Sequence, residues 1–163
     1  MLAASAAALP ALLALAGCRS SDLFTGPDPL ASRPPLAPDV IALQAVIESE
    51  QSMIGLYAAA VSGAGQAAGP ARSQQALLAG LLAQHRQHLG QLQARLVVPS
   101  GQASPSASPT TVSGPVTAAR LRAAEQASAA GLIQRLSTAD PALAQLFASI
   151  AASDATHAVA LGG

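Results

Sequence analysis

Apolar residues recur along this chain at helical spacing in four separated blocks, and no stretch alternates apolar and polar residues as a half-buried strand would. In the first block Leu43, Ile47, Ile54, Tyr57 and Val61 fall on one stripe at about 100° per residue, which predicts a helix over residues 39–62, after Pro38 and before the Gly63-Ala64-Gly65 break. Glu50 shares that stripe, whereas Glu48 falls on the far side. The second block carries Leu78, Leu81, Leu82, Leu89, Leu92 and Leu96, with Ser73 as its expected N-cap and an end near residue 97, before Pro99. His85 lies at the centre of this stripe and His88 toward one edge. The third helix is expected from Pro115 to about residue 136, with Leu121, Glu125, Leu132 and Leu136 on one face and Arg120, Arg122 and Gln126 turned outward. Asp140 then caps and Pro141 opens a fourth, whose inner face carries Leu143, Phe147, Ile150, Asp154, His157 and Leu161.

Between the second and third helices, residues 99–114 are rich in Ser, Pro, Thr and Gly and show no periodicity. Extended at ~3.1 Å per residue they reach on the order of 50 Å, against roughly 33 Å for a helix of about 22 residues. The segment can cross a whole bundle, so the predicted fold is all-α, a four-helix bundle in residues 39–163 with a long crossover between helices 2 and 3.

Ahead of that domain, an apolar run ends in Leu15-Ala16-Gly17-Cys18, and Cys18 is the sole cysteine. These residues resemble the lipobox of bacterial lipoprotein signal peptides. The resemblance implies a signal peptide over residues 1–17 and acylation of the Cys18 thiol, which anchors the mature chain to a cell membrane on its extracytoplasmic face. No Arg or Lys precedes the apolar run, and a start codon further upstream would supply the missing positive segment. Residues 18–38, with Pro27, Pro29, Pro34, Pro35 and Pro38, read as a Pro-rich tether between lipid and domain.

Composition narrows the function. Eight Arg offset eight acids without forming a basic stripe, there is no Lys, and the aromatics are two Phe and one Tyr, so nucleic-acid binding has no footing. The same lack of cationic density disfavours a bundle lying on the membrane. There is no Gly-rich phosphate loop after a strand, no G-x-S-x-G, and no thiol left for catalysis once Cys18 is acylated.

What the chain does have is ionisable groups on every apolar stripe: Glu50, His85 with His88, Glu125, and Asp154 with His157. Such groups are costly to bury unless they pair, hydrogen-bond or bind metal, so the six are expected to meet. They also repeat. Ser49-Glu50-Gln51-Ser52 is echoed by Ala124-Glu125-Gln126-Ala127, and His85-x-x-His88 by Asp154-x-x-His157, which describes two related helical hairpins.

The pattern resembles the ferritin-like superfamily, in which one glutamate from each of two helices and a Glu-x-x-His pair from each of the others hold two iron or manganese ions. Glu50 and Glu125 match the single glutamates, and Asp154-x-x-His157 matches one pair with a shorter acid. His85-x-x-His88 departs from the other. More narrowly, the acid-Gln pairs, Tyr57, His85-Arg86 and Gly114-Pro115-Val116-Thr117 resemble an uncharacterised ferritin-like domain family of actinobacterial secreted proteins and lipoproteins. Three carboxylates fall short of the four that compensate two divalent cations, and imidazole-rich ligation suits zinc or copper, or a single iron. A buried polar network without metal is therefore the preferred expectation over a metal centre, with Tyr57 as packing and Arg86 on a solvated face. The resulting functional expectation is a membrane-anchored binding or structural module that takes a metal, a protein partner or a second copy. The alternative is a metal-dependent oxidase, peroxide-handling or metal-storage protein using iron, manganese, zinc or copper.

Overall fold

A computed structural model of the chain describes residues 36–64, 71–98 and 114–162, all within one compact unit, Leu36–Gly163. The expected signal peptide, Cys18, nearly all of the tether and most of the expected crossover lie outside the described residues. Among the described residues there are four helices and no strand: α1 (Pro38–Ala64), α2 (Ala71–Arg95), α3 (Ala118–Arg135) and α4 (Pro141–Ala160). The all-α expectation holds.

Helix ends follow local chemistry, though not always at the residues expected. The fourth starts as predicted, with the Asp140 carboxylate accepting the Leu143 N–H at 2.9 Å and Pro141 in the first turn, where its missing N–H costs nothing. The third begins later than Pro115. Gly114 turns the chain with φ +79°, and Thr117 becomes the cap, its hydroxyl accepting the Arg120 N–H at 3.2 Å. Two start signals two residues apart compete there, and the one whose side chain satisfies an orphan N–H wins. Ser73 lies inside α2, which starts directly after Pro70 in the sequence, itself a residue favoured at helix openings. That helix ends at Arg95, where a tighter turn from the Leu96 N–H to the Gln93 carbonyl closes it ahead of Pro99.

Helix α1 lies along α2, α3 lies along α4, and α1 also touches α3. Two apolar clusters reveal the polarity. In one, Leu43, Val46 and Ile47 from the start of α1 meet Leu92 near the end of α2, Leu132 near the end of α3, and Phe147 and Ile150 from the first half of α4. In the other, Met53, Tyr57 and Ala60 from the second half of α1 meet Leu78, Leu81 and Leu82 from the first half of α2 and Leu121 at the start of α3, with Leu161 following α4 packed against them. So α1 and α4 run one way and α2 and α3 the other, and α2 ends at the opposite end of the bundle from where α3 begins. Because α1 faces two neighbours it buries a wider arc than one stripe: Val46, Met53 and Ala60 are buried too, while Ile54 and Val61 are half-buried.

Truncating the fully buried Leu92 to Ala should cost about 2–5 kcal/mol through lost burial and a cavity, and Asp140→Ala about 1 kcal/mol through the lost cap. Urea unfolding followed by circular dichroism measures both, and near-equal losses would contradict the packing described.

Candidate metal centre

Between the two apolar clusters the bundle turns polar. The helical stripes that place leucines above and below also place Glu50 of α1, His85 and His88 of α2, Glu125 of α3, and Asp154 and His157 of α4 at this level, and all six meet. His85, Glu125 and Asp154 are completely buried, Glu50 and His157 nearly so, and His88 is 13% exposed, at the edge its register predicted. Glu48 and Arg86 are exposed, also as expected.

His85 is the hub. Its Nδ1 lies 2.9 Å from Glu50 Oε2 and its Nε2 2.9 Å from Glu125 Oε1. Carboxylate oxygens only accept, so each nitrogen donates and the ring carries both protons. Burial alone would lower its pKa, but the hydrogen bonds to Glu125 and Glu50 and the charges of both acids raise it to about 9. Glu125 is the matching anion. Its Oε1 accepts from the Tyr57 hydroxyl, from His85 and from His157 Nδ1 at 3.3 Å. Burial pushes this carboxyl up, yet these three donors bring it down to about 2. Glu50 is likewise held below its ordinary value by His85 and His88 against the effect of burial. Burial and the Glu125 acceptor keep the Tyr57 phenol protonated, with its pKa raised.

Asp154 fares differently. Burial, helped by the nearby Glu125 and Glu50 charges, raises it to about 6 against the opposing influence of Ser128 and of His85, and neither of its oxygens meets a well-formed hydrogen bond. His157 Nε2 stands 2.7 Å from Gln84 Oε1 and 3.1 Å from Ser153 Oγ. The rings of His88 and His157 are close to parallel, 11° apart with centroids at 6.3 Å.

Five buried polar atoms in this layer have no hydrogen-bond partner: Glu50 Oε1, His88 Nδ1, Glu125 Oε2 and both Asp154 oxygens. Glu50 Oε1 and His88 Nδ1 face each other at 3.6 Å, and each of the other three would cost about 1–3 kcal/mol if left so. The layer also contains two groups whose ligand atoms lie within 4.8 Å of one another, Glu50, His85, His88 and Asp154 on one side and His85, Glu125, Asp154 and His157 on the other. Orphaned oxygens and a nitrogen inside such groups fit a cation. Three imidazoles beside three carboxylates fit a borderline cation better than a hard, carboxylate-bridged pair. A cleft of about 360 Å³ between α1 and α3, bordered by Ser49, Ser52, Ala127 and Ser128, reaches Glu50 from the surface.

The six ionisable residues were legible in the sequence; three of their partners were not. Tyr57 is more than the packing residue expected, and Gln84 and Ser153 complete the shell of His157. Only Ser153 left a signal, one helical turn before His157. No family model, curated protein or solved structure compared with this chain matches it.

The shifted groups set a pH profile for the metal-free protein. His85, raised from 6.5, contributes stability that is complete below pH 6.5 and lost as pH rises through about 9. Glu125, lowered from 4.5, contributes above pH 4.5 and loses this as pH falls through about 2. Asp154, raised from 3.8, favours the acid side and loses its contribution as pH rises through about 6. The melting temperature in EDTA should therefore peak near pH 4.5, the ordinary value of Glu125, decline as Asp154 loses its proton toward pH 6, and decline again from pH 6.5 toward 9 as His85 does. A rise across the alkaline limb would refute the paired imidazolium.

Proposed function

We propose that the four-helix domain is a metal-binding module of ferritin-like topology, held at the extracytoplasmic face of a cell membrane by lipid on Cys18. The observation that carries the metal reading is the set of five orphaned polar atoms inside two ligand groups. A metal-free network satisfies His85 and one oxygen each of Glu50 and Glu125 and sets Glu50 Oε1 beside His88 Nδ1 at 3.6 Å, too far for a hydrogen bond, but leaves Glu125 Oε2 and both Asp154 oxygens without a hydrogen bond. A cation engages them and offsets the cost of burying three carboxylates together. In this reading Glu50, His85, His88, Glu125, Asp154 and His157 are the ligands, Tyr57 and Gln84 orient Glu125 and His157 from behind, and the cleft beside Glu50 is the way in.

The ferritin-like topology is supported by helix polarity: α2 and α3 run the same way, so the end of one and the start of the other lie at opposite ends of the bundle, a separation that residues 99–114 are long enough to span. The lipid anchor is supported by the Leu15-Ala16-Gly17-Cys18 motif and the Pro-rich segment behind it. No described helix is long and apolar enough to cross a membrane, and attachment in this reading is through the lipid.

Expressed with iron, manganese, zinc and copper available, the purified full chain should retain stoichiometric metal by elemental analysis. EDTA should lower its melting temperature, and the near-isosteric Glu125→Gln should lose metal while still folding. A fully folded, metal-free protein indifferent to EDTA and to added ions would sink the reading. Separately, a radiolabelled fatty acid should be incorporated in cells by the wild-type chain and not by Cys18→Ala; an unlabelled wild type would remove the anchor while leaving the metal site untouched.

A further inference from the structure

We propose that His85 joins two divalent ions through the two nitrogens of its ring, one ion held with Glu50 and His88 and the other with Glu125 and His157. The inference deepens the metal-binding reading and rests on it.

The two ligand groups differ in Glu50 and His88 on one side and Glu125 and His157 on the other, and they share His85 and Asp154. The sequence repeat exchanges Glu50 with Glu125, His85 with Asp154 and His88 with His157, so it converts each group into the other. Positions 85 and 154 are therefore the shared ones by the logic of the repeat as well as by proximity. His85 occupies its position in the way a bridge requires: Nδ1 faces the first group, 2.9 Å from Glu50, and Nε2 faces the second, 2.9 Å from Glu125. Asp154, the other shared residue, has both oxygens without a well-formed hydrogen bond and Ser128 as its polar neighbour.

Charge completes the argument. Glu50, Glu125 and Asp154 leave two divalent ions one negative charge short, in a layer where His85, Glu125 and Asp154 are fully buried and solvent cannot compensate. An imidazole deprotonated at both nitrogens is an anion and supplies the missing charge. As the ions enter, the two N–H bonds of His85 break, the protons leave to solvent, two nitrogen–metal bonds form, and no electron is transferred. An anionic imidazole suits copper(II) or zinc(II), which imidazole ligands favour, over manganese or magnesium.

The test uses the full chain in detergent, stripped with EDTA and titrated with copper(II). Two ions per chain are expected. The integrated electron paramagnetic resonance intensity should grow with the first and fall as the second enters, because the two spins couple through the shared ring. His85→Gln, neutral and unable to become an anion, should bind one ion fewer; His85→Glu, which restores the charge, should bind two again. Circular dichroism establishes that each variant is folded; where His85→Gln does not fold, Asp154→Asn, which removes the other shared carboxylate, should keep the coupling, and its loss there would overturn the bridge. Two ions giving the full intensity of uncoupled copper, a single ion per chain, or coupling that persists in His85→Gln would each overturn the bridge while leaving metal binding in place. Failure of the wild-type chain to retain copper or any other metal overturns both.

Discussion

Three carboxylates and three imidazoles cannot share the dry middle of a small bundle unless each compensates another, and the rest of the domain can be understood from that demand. The apolar clusters on either side hold the helices close enough for His85 to touch a glutamate from α1 with one nitrogen and a glutamate from α3 with the other. A one-residue slip of α2 would turn His85 away from both and expose the charges to each other. The polar layer thus fixes the register of all four helices in a way that interchangeable leucines could not.

Compensation within the layer is uneven. Glu125 Oε1 collects three donors while its Oε2 has none, and Glu50 has His85 close on one oxygen and His88 at 3.6 Å from the other. Asp154 lacks such donors, and burial, with the charges of Glu125 and Glu50, raises its carboxyl to about 6 while Glu125 is pulled to about 2. The His85 ring holds two carboxylates and does not reach the third with a hydrogen bond. The residual imbalance, rather than any one distance, is what the proposed cations would offset.

The four helices and the six ionisable residues were readable from spacing alone, because an ionisable group on an apolar stripe is a conspicuous exception to the stripe. The α4 start was readable for a similar reason: Asp140-Pro141 supplies cap and opener together, and no rival signal stands nearby. Where two signals compete, as Pro115 and Thr117 do, spacing has no means of choosing, and the turn at Gly114 and the hydrogen bond to Arg120 decide. Val46, Met53 and Ala60 were overlooked because a single stripe assumes one neighbour, whereas α1 has two. The Tyr57 hydroxyl was overlooked because its partner lies on another helix, sixty-eight residues along the chain, at a distance that only tertiary packing sets.

The exchange of the two ligand groups by the sequence repeat has a consequence for how such a centre can be assembled. A dimer of one identical hairpin would be compelled by its symmetry to present the same residue at the positions that are His85 and Asp154 here, giving either two imidazoles or two carboxylates across the shared axis. Fusing the hairpins into one chain releases that constraint. Each half is then free to vary alone, and an unequal pair of facing side chains, one cationic ring against one acid, becomes available at a centre that symmetry would otherwise have kept uniform.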